Sequence, residues 1–504
     1  MSFKQAIWDE PLLIEKSRKG RRGYSIQPFS GKGGEPEEVS KMIPRAMLRM
    51  DPPKLPELSE PDIVRHFLRL SQMNFAIDLG MYPLGSCTMK YNPKVSERIA
   101  RNSKFANLHP YQDEDTIQGA LGILHDLELL LCEITGMNQF SLAPAAGAQG
   151  EYVGALIIRN YLKDHGLGYK NEMLVPDSAH GTNPASAVMA GFEVVKIPTS
   201  KEGIVTAEVA RQVITDKTAG MMLTVPNTLG IFEREIVDVE KQVHEKGGLM
   251  YYDGANMNAL LGRVRPGDMG FDIVHVNVHK TFATPHGGGG PGAGPVGVTS
   301  ELGDYLPIPR IVKQGSKYKL DYDRPKSIGF IKSFYGNAGV LLRAYCYILS
   351  LGKDGLKKVS EQAVLASNYL LSQLDKEAFS LVFSKGIPRK HEFVVSTSPL
   401  KRKTSITAGE VAKSILDYGK HSPTTYFPLI VDEALMIEPT ETETLENLDS
   451  YAKILNDIAK TAIIDKISLQ TAPHNTSIRR LDEYKASHPA TMILTWKDLK
   501  PESY

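Results

Sequence analysis

The chain has 504 residues, of which 42% are hydrophobic and 23% are charged. Both fractions are close to those of soluble globular proteins, and this length accommodates about two to four domain-sized units. Lys and Arg total 59 while Asp and Glu total 58, so the formal net charge is +1. These values exclude a disordered chain, a fibrous protein and a single small module, and they provide no global attraction to nucleic acid or an anionic membrane.

The three cysteines, Cys87, Cys132 and Cys346, are widely spaced and form no C-x-x-C pair. This pattern argues against a zinc site or a redox couple and favours a reducing compartment. The N-terminus lacks the unbroken apolar run of about 7 to 15 residues that a secretory signal needs. No stretch approaches the roughly 18 apolar residues of a membrane span. We therefore expect a cytoplasmic protein.

Residues 1–60 are rich in proline and contain the glycine cluster GKGG at 31–34. Proline and glycine in this density interrupt helices and strands alike, so we predict an extended N-terminal arm. The arm carries apolar residues that an isolated globule would leave in water, among them Ile43, Met47 and Leu55. We expect the arm to lie against another subunit.

From about residue 62, short apolar segments alternate with helical patterns. The first clear helix is predicted over 120–136, where apolar residues recur every three or four positions up to Gly136. Apolar segments follow at 171–177, 192–198, 219–226, 247–254 and 271–280, most of them separated by a helical pattern such as 237–247. This succession predicts a mainly parallel sheet covered by helices, with ligands bound at the carboxyl ends of its strands.

A further helix is predicted over 337–352, and the character of the chain changes near residue 375. Strand patterns at 391–397 and 433–440, with a helix at 408–419 between them, predict a smaller α/β domain. We expect four parts in chain order: the arm 1–60, a large domain 61–345, a small C-terminal domain 346–475 and a tail 476–504.

The strongest chemical signal is Lys280, which follows the apolar segment FDIVHVNVH. Strand alternation places Val274, Val276 and Val278 on one face and His275, Asn277 and His279 on the other, with Lys280 at the strand end. A lysine with a lowered pKa at such a position can capture an aldehyde as a Schiff base. The alternative is an ordinary exposed lysine after a strand.

The glycine-rich loop after Lys280 and the histidine pair before it suggest three other kinds of site, and the sequence argues against each. Its glycine spacing lacks the strand, turn and helix of a dinucleotide site. The string HGGG at 286–289 resembles an esterase oxyanion loop, but the chain has no G-x-S-x-G nucleophile elbow. His275 and His279 are four residues apart on a strand, roughly 13 Å, which is too far to share one metal ion.

Other polar residues follow the predicted strands. Asp253 lies in the segment YYDG at the end of an apolar strand. A carboxylate there can keep the ring nitrogen of a cofactor pyridine protonated, although a helix cap is equally consistent with its position. His180 and Thr228 follow two further strands, and a lone histidine is more often structural. The small-residue stretch at 143–150 predicts a turn that opens a helix, so the backbone N–H groups of Gly147, Ala148 and Gln149 are candidates for holding a phosphate.

The chain order of these features resembles that of a pyridoxal-phosphate enzyme of the aspartate-aminotransferase-like fold (fold type I). The features are, in order, the phosphate turn, His180, the strand end at Thr228, Asp253 and Lys280. Residues 40–450 resemble glycine dehydrogenase (decarboxylating), the P-protein of the glycine cleavage system. The resemblance rests on the strings LPELSEPDIVRH, YPLGSCTMKYNP, GAQGEYVGA, SAHGTNPASA, HKTFATPHGGGGPG, HEFV and LMIEPTE. The chain is similar to the C-terminal, cofactor-bearing half that occurs as a separate subunit 2. Where single-chain members of the family typically have serine, this chain has Ala146, which removes one hydroxyl from the expected phosphate site.

The resemblance implies that Lys280 holds pyridoxal phosphate covalently, that Asp253 stabilises the electron-rich state after glycine loses CO2, and that His180 stacks on the ring. Asn256 or Thr228 would hydrogen-bond the ring's phenolic oxygen. The aminomethyl group would pass to the lipoyl arm of H-protein, with residues 86–88 and 107–111 suited to line the entrance.

The resemblance also implies a homologous partner, subunit 1, because the single-chain relatives carry a second copy of the fold. We expect a complex with two copies of each subunit. Two alternatives remain open at this stage: another fold-type-I enzyme, such as an aminotransferase or a cysteine desulfurase, and a structural subunit without catalysis. A desulfurase needs a mobile cysteine late in the chain, whereas Cys346 falls inside a predicted helix that we expect to be buried.

Overall fold

The computed structural model describes residues 3–23, 41–51, 53, 55–493 and 495. The predicted glycine cluster at 31–34 and the end of the predicted tail lie outside these residues. The chain forms two compact units. The terminal unit comprises Met1–Ala76, Asp417–Gly419 and Thr471–Tyr504, and the main unit comprises Ile77–Leu416 and Lys420–Gln470. The four-part division drawn from the sequence stays a prediction.

The main unit is built around a seven-stranded sheet in the order β1-β7-β6-β5-β4-β2-β3. Its strands are β1 Gln139–Ser141, β2 Glu172–Pro176, β3 Glu193–Ile197, β4 Thr218–Leu223, β5 Leu249–Gly254, β6 Ile273–Val276 and β7 Val296–Val298. The neighbours from β3 to β6 pair in parallel, while β7 pairs antiparallel with both β6 and β1. The mainly parallel sheet is confirmed, and the short antiparallel edge is an addition that the sequence pattern did not indicate.

Helices cover both faces of this sheet. The helices of the main unit are Lys94–Ala100, Ser103–Ala106, Gln118–Thr135, Gly147–Asp164, Thr182–Met189, Ala207–Val213, Ile236–Glu245, Ala338–Ser372, Ser398–Thr404, Ala408–Leu416 and Leu445–Ile464, with Lys466–Thr471 at the boundary between the units. Short 3₁₀ helices are Glu114–Thr116, Pro266–Met269 and Ser300–Tyr305. The predicted helices at 120–136, 237–247 and 408–419 are confirmed within a few residues.

Strand alternation divides the core into two layers. Met250 and Tyr252 of β5 pack on one face with the leucines of helix Gln118–Thr135. Leu249 and Tyr251 face the other way, toward helix Gly147–Asp164. Each large apolar side chain that is fully buried contributes about 1.5–3 kcal/mol, so the two layers fix the register of the central strands.

Helix Ala338–Ser372 is longer than predicted, because it continues after an interruption at Gly352, whose φ of 59° is left-handed. Glycine adopts this conformation without a steric penalty, so the chain changes direction there and resumes a helix. Cys346 lies in the first part of this helix and is half-buried rather than buried.

The predicted smaller α/β portion is also confirmed as a three-stranded sheet in the order β10-β12-β11. Its strands are β10 Phe393–Ser396, β11 Thr424–Thr425 and β12 Ala434–Ile437, all antiparallel. A separate hairpin pairs β8 Arg310–Gln314 with β9 Lys317–Asp321. The register of β10 and β12 matters for the site, since Phe393 lies opposite Ile437.

The terminal unit contains the helices Leu13–Lys16, Glu60–Gln72 and Glu483–Ser487 and the 3₁₀ helix Arg45–Met47 among its described residues. Ser59 and Asp62 form a capping box at the start of its longest helix.

One buried ionic cluster stabilises the terminal unit. The Glu10 carboxylate accepts hydrogen bonds from Lys16, Arg69 and His66, which hold its pKa at about 2. Among the residues that the structure describes in either unit, no helix combines the length and apolar character needed to cross a membrane.

Candidate active site

A cavity of about 290 Å³ opens at the carboxyl ends of β4 and β5 and beside the turn that follows β6. All predicted site residues except Gln149 line it, namely Gly147, Ala148, His180, Thr228, Asp253, Asn256 and Lys280. The cavity lies where parallel sheets generally bind ligands, because strand-end loops converge at that edge. Cys346 is not among its lining residues.

Lys280 lies in a turn, four residues beyond the end of β6 at Val276. The strand is shorter than the sequence predicted, because Val276 already donates its N–H to Pro295 and the chain then leaves the sheet. The Lys280 Nζ donates to the Ser86 carbonyl oxygen at 2.6 Å. The amine is therefore held at the cavity wall by one neutral acceptor, rather than extended into solvent.

Asp253 is buried near the end of β5 and forms the floor of the cavity. Its carboxylate accepts the Ala255 N–H at 3.0 Å, the Asn183 side-chain amide at 3.1 Å and the Thr224 hydroxyl at 3.4 Å. Burial alone would raise the pKa of Asp253, but the neighbouring His275 ring, the Ala255 N–H and the Lys280 amine together leave it below the usual value. The floor of the cavity thus carries a negative charge.

His275 lies on β6, whereas His279 lies in the turn after it, so the strand spacing predicted for this pair does not extend to His279. His275 is buried, its Nδ1 lies 2.6 Å from the Tyr251 hydroxyl, and burial lowers its pKa to about 4. His279 accepts the Ala293 N–H at 3.3 Å, and burial likewise lowers its pKa to about 4. Both rings are neutral at neutral pH and belong to different hydrogen-bond groups.

The predicted phosphate turn opens helix Gly147–Asp164 directly at the cavity. A Cβ atom on Gly147 would collide with the Asn277 side-chain amide, so any larger residue there would require Asn277 to move. The Gln149 side chain turns away: its oxygen accepts the Ala145 N–H at 2.6 Å and its amide donates to Ile331 at 2.9 Å. The Gln149 side chain therefore stabilises the turn. The predicted binding of a phosphate by its backbone N–H stays a prediction.

His180 lies 2.7 Å from the Thr182 hydroxyl, which donates to Glu151 at 2.9 Å. Burial lowers the pKa of His180, so its ring is neutral. Glu151 is a cavity residue that the sequence did not single out; burial and the charge of Asp253 raise its pKa to about 8. Its second carboxyl oxygen has no hydrogen-bond partner among the described residues.

Thr228 and Asn256 reach the cavity but already have protein partners. The Thr228 hydroxyl donates to the Ser178 carbonyl at 2.6 Å. The Asn256 amide donates to Glu438 at 3.0 Å. Their predicted contact with a cofactor oxygen stays a prediction.

Ser86 and Cys87 of the segment 86–88 line the cavity, whereas Thr88 does not. Ser86 has a left-handed φ of 60°, a strained conformation that concentrates at functional sites. Its N–H donates to Glu392 at 2.8 Å, and Cys87 Sγ lies 3.2 Å from His286 Nε2. The other segment expected at the entrance, 107–111, is absent from the cavity lining.

Glu392 and Glu438 are the main functional candidates that sequence reasoning missed. Burial and the charge of Glu438 raise the pKa of Glu392 well above its usual value, and burial raises that of Glu438 to about 7. The strings HEFV and LMIEPTE contain these residues, but no local pattern indicated that they meet.

Comparison with known proteins identifies the family. The sequence profile of the glycine cleavage system P-protein matches residues 36–319, and that of the glycine dehydrogenase C-terminal domain matches residues 359–480. The chain belongs to the glycine cleavage system P-protein family. A probable glycine dehydrogenase (decarboxylating) subunit 2 of Pyrococcus abyssi (strain GE5 / Orsay) is 55% identical over 501 residues, which cover 99% of this chain and 98% of that protein. One from Thermotoga maritima (strain ATCC 43589 / DSM 3109 / JCM 10099 / NBRC 100826 / MSB8) is 52% identical over 94% of this chain and 98% of that protein.

Solved structures confirm the fold-type-I prediction. A crystal structure of glycine decarboxylase (P-protein) of the glycine cleavage system, in inhibitor-bound form, superposes with a TM-score of 0.71 at 19% identity, covering 84% of this chain and 95% of that one. A NifS-like protein superposes with a TM-score of 0.57 at 15% identity, covering 76% and 99%. At these identities the likeness concerns the fold.

P-protein family members are pyridoxal-phosphate-dependent enzymes of the glycine dehydrogenase (decarboxylating) class, and this chain is one of them. The residues of the cavity fit that cofactor. A lysine amine and a buried carboxylate face the same space, and the unpaired Asn277 Oδ1 and Glu151 Oε2 are available to a ligand. The helix start at Gly147 leaves room where any side chain would collide with Asn277.

Proposed function

We propose that this chain catalyses the decarboxylation of glycine and transfers the aminomethyl group to the lipoyl arm of H-protein, with release of CO2. The observation that carries the proposal is the Lys280 amine in one cavity with the buried Asp253 carboxylate, in a chain of the P-protein family. Pyridoxal phosphate, when bound, supplies an electron sink for the carbon that loses CO2.

Lys280 is the proposed covalent attachment point. Its amine contacts a single carbonyl oxygen, that of Ser86, and no carboxylate hydrogen-bonds it among the described residues. An amine that no carboxylate holds is available to attack an aldehyde. Attachment of the amine to a cofactor would also free the Ser86 carbonyl, which lies in the segment that borders the cavity.

Asp253 is proposed to hold the proton on the cofactor's ring nitrogen. The three donors to its carboxylate fix the orientation of the group and keep it ionised, which a partner for a protonated nitrogen requires. His180 is proposed to stack on the ring, because a neutral imidazole does so without repelling a protonated ring. The N-terminus of helix Gly147–Asp164 is proposed to bind the phosphate.

Trapping the cofactor tests the attachment. We expect the purified protein, incubated with pyridoxal phosphate, to absorb visible light, and borohydride to fix the label on a peptide containing Lys280. The variant Lys280→Ala should fold normally and lose the trapped label, whereas the matched control Lys317→Ala, an exposed lysine paired with Asp115, should retain it. Label that persists in Lys280→Ala at the wild-type level would remove Lys280 from this role.

We also propose that the active species contains subunit 1, with two copies of each chain. The relatives are named subunit 2. The helix Glu60–Gln72 exposes Ile63, Val64, Phe67 and Leu68 and buries His66, so its apolar side faces solvent. Such a surface is typical of an obligate interface.

Co-expression with subunit 1 tests the assembly. We expect Phe67→Glu to weaken the complex in sizing experiments, and the control Arg65→Glu, also exposed on this helix, to leave it intact. A fully active species that contains this chain alone, unaffected by added subunit 1, would contradict the proposal. The cytoplasm is the proposed location, on the basis of the cysteine pattern.

A further inference from the structure

Two carboxyl groups and a histidine meet at one side of the cavity. Glu392, Glu438 and His391 are 4%, 0% and 2% exposed, and one oxygen or nitrogen of each lies within 4.8 Å of the others. Glu392 and His391 line the cavity that contains Lys280, whereas Glu438 does not. The antiparallel register of β10 on β12 brings Glu392 and Glu438 together. Phe393 lies opposite Ile437, so the residues one position further along, Glu392 and Glu438, also lie opposite each other.

The two carboxyl groups differ in the donors that surround them. Glu438 accepts hydrogen bonds from the Thr88 hydroxyl at 2.8 Å, the Asn256 amide at 3.0 Å and the Asn258 amide at 3.2 Å. Among the residues that the structure describes, Glu392 accepts only the Ser86 N–H, at 2.8 Å. Donors stabilise the ionised form, and two buried carboxylates at this separation repel each other. The pair therefore holds a proton, and Glu392 is the group that carries it.

The surrounding charges do not reverse this assignment. The charged or titratable groups that act on the pair are Lys90 and Glu441 beside Glu438, and Lys280, Cys87 and His391 beside Glu392. Lys90 is already paired with Glu441 at 2.6 Å. Burial lowers the pKa of His391 to about 3, so its ring is neutral and contributes no positive charge. Lys280 supplies one positive charge, which does not balance two carboxylates, so one of the two carboxyl groups keeps its proton.

We propose that Glu392 is the acid that protonates the sulfur released when a disulfide substrate is opened beside Lys280. This inference rests on the proposed function. The glycine carbon that has lost CO2 bonds to one sulfur of the disulfide, the S–S bond breaks, and its electron pair goes to the second sulfur. That sulfur takes the proton of Glu392 and becomes a thiol, which in a cyclic disulfide such as lipoamide stays on the same molecule, and Glu392 regains a proton from solvent. Glu438 is a positioning residue that keeps Glu392 protonated through its negative charge.

The location of the proton is measurable without any reaction. A protonated buried carboxyl gives an infrared carbonyl band, and we expect the wild-type protein at neutral pH to show such a band that Glu392→Gln removes. The matched control is Glu233→Gln, because Glu233 is also buried with a pKa raised to about 8 but does not line the cavity. Its spectrum should retain the Glu392 band. A spectrum in which Glu392→Gln removes no carbonyl band would overturn the assignment.

The chemical step is tested on the complex with subunit 1, using glycine and lipoamide as the disulfide and measuring thiol formation across pH. We expect Glu392→Gln to form thiol about 10²- to 10⁴-fold more slowly, the usual contribution of a general acid. Small buffer acids should rescue it in part, and bound cofactor should be retained. Glu438→Gln should lower the pKa of Glu392, so the alkaline fall in rate moves to lower pH while the acidic plateau is kept.

Three results besides the infrared one would contradict this inference. The first is an unchanged rate and pH profile in Glu392→Gln. The second is tight binding of one zinc ion per chain that Glu392→Gln abolishes, because the cluster would then be a metal site. The third is a wild-type complex that opens no lipoamide with glycine. That result refutes the proposed function and the transfer step together, while the infrared band still decides where the proton lies.

Discussion

The buried ion pair of Lys90 and Glu441 gives the most quantitative test of this structure. The Lys90 side chain is 1% exposed, and its Nζ donates to Glu441 at 2.6 Å, to Asn258 at 3.0 Å and to the Tyr347 hydroxyl at 3.2 Å. Lys90→Met keeps the apolar stem and removes the charge, which leaves a buried carboxylate without its counterion. Breaking a buried pair in this way costs about 3–5 kcal/mol.

A surface pair in the same segment provides the control. Lys94 donates to Asp78 at 2.7 Å, but the two side chains are 58% and 53% exposed. Water already solvates both charges, so Lys94→Met should cost only about 0–1 kcal/mol. The two substitutions remove the same group from residues four positions apart, and they differ mainly in burial.

Native-state hydrogen exchange is the suitable assay, because a chain of two compact units is not expected to unfold in one two-state transition. A free-energy change of about 1.4 kcal/mol corresponds to a tenfold change in an equilibrium constant. Lys90→Met should therefore speed amide exchange around residues 84–92 and 434–441 by roughly two to three and a half orders of magnitude. The double variant Lys90→Met/Glu441→Gln should recover much of the loss, since no uncompensated charge remains. If Lys90→Met behaves like Lys94→Met, or the double variant is no better than Lys90→Met, the buried-pair reasoning is wrong.

Three further outcomes are expected. Asp253→Asn should still bind the cofactor, measured by absorbance, but should lose at least about two orders of magnitude in the rate of glycine decarboxylation. The reason is that one charge interaction in a site without water is typically worth about 3 kcal/mol. A rate within about threefold of wild type would contradict this role. Gly230→Ala should lower the melting temperature far more than Gly166→Ala. Both glycines have a left-handed φ, 71° at Gly230 and 73° at Gly166, so the backbone strain is matched. Only a Cβ atom at position 230 would collide with another group, the Glu392 carbonyl oxygen. Deleting residues 1–50 should weaken assembly with subunit 1 in sizing experiments more than it lowers the melting temperature of this chain; equal losses would refute a role of the arm in assembly.

Local sequence pattern was sufficient for much of the fold and for the centre of the site. The apolar strands are separated by helices, and parallel strands bring their carboxyl ends to one edge, so Asp253 and Lys280 were predictable as neighbours from their places after two strands. Glycine at 147 and the small residues before it predicted the helix start that borders the cavity. Each of these inferences needs only short-range periodicity and a topological rule.

Other features depended on pairing between distant parts of the chain. β1 and β7 have three residues each, too few to show an alternation, and they form strands because each has a partner. The end of β6 at Val276 was set by its contact with the chain near Pro295 rather than by its own sequence, which continues the apolar alternation to Val278.

Glu392 and Glu438 show most clearly what only the tertiary structure decided. The sequence determined that each carboxyl adjoins an apolar strand, a position typical of an ordinary solvated acid. The antiparallel register of β10 on β12 brings the two together, and burial then changes their chemistry, because two carboxyls away from water cannot both remain ionised. Register depends on side-chain packing across the whole sheet, and no local stretch of sequence contains that information.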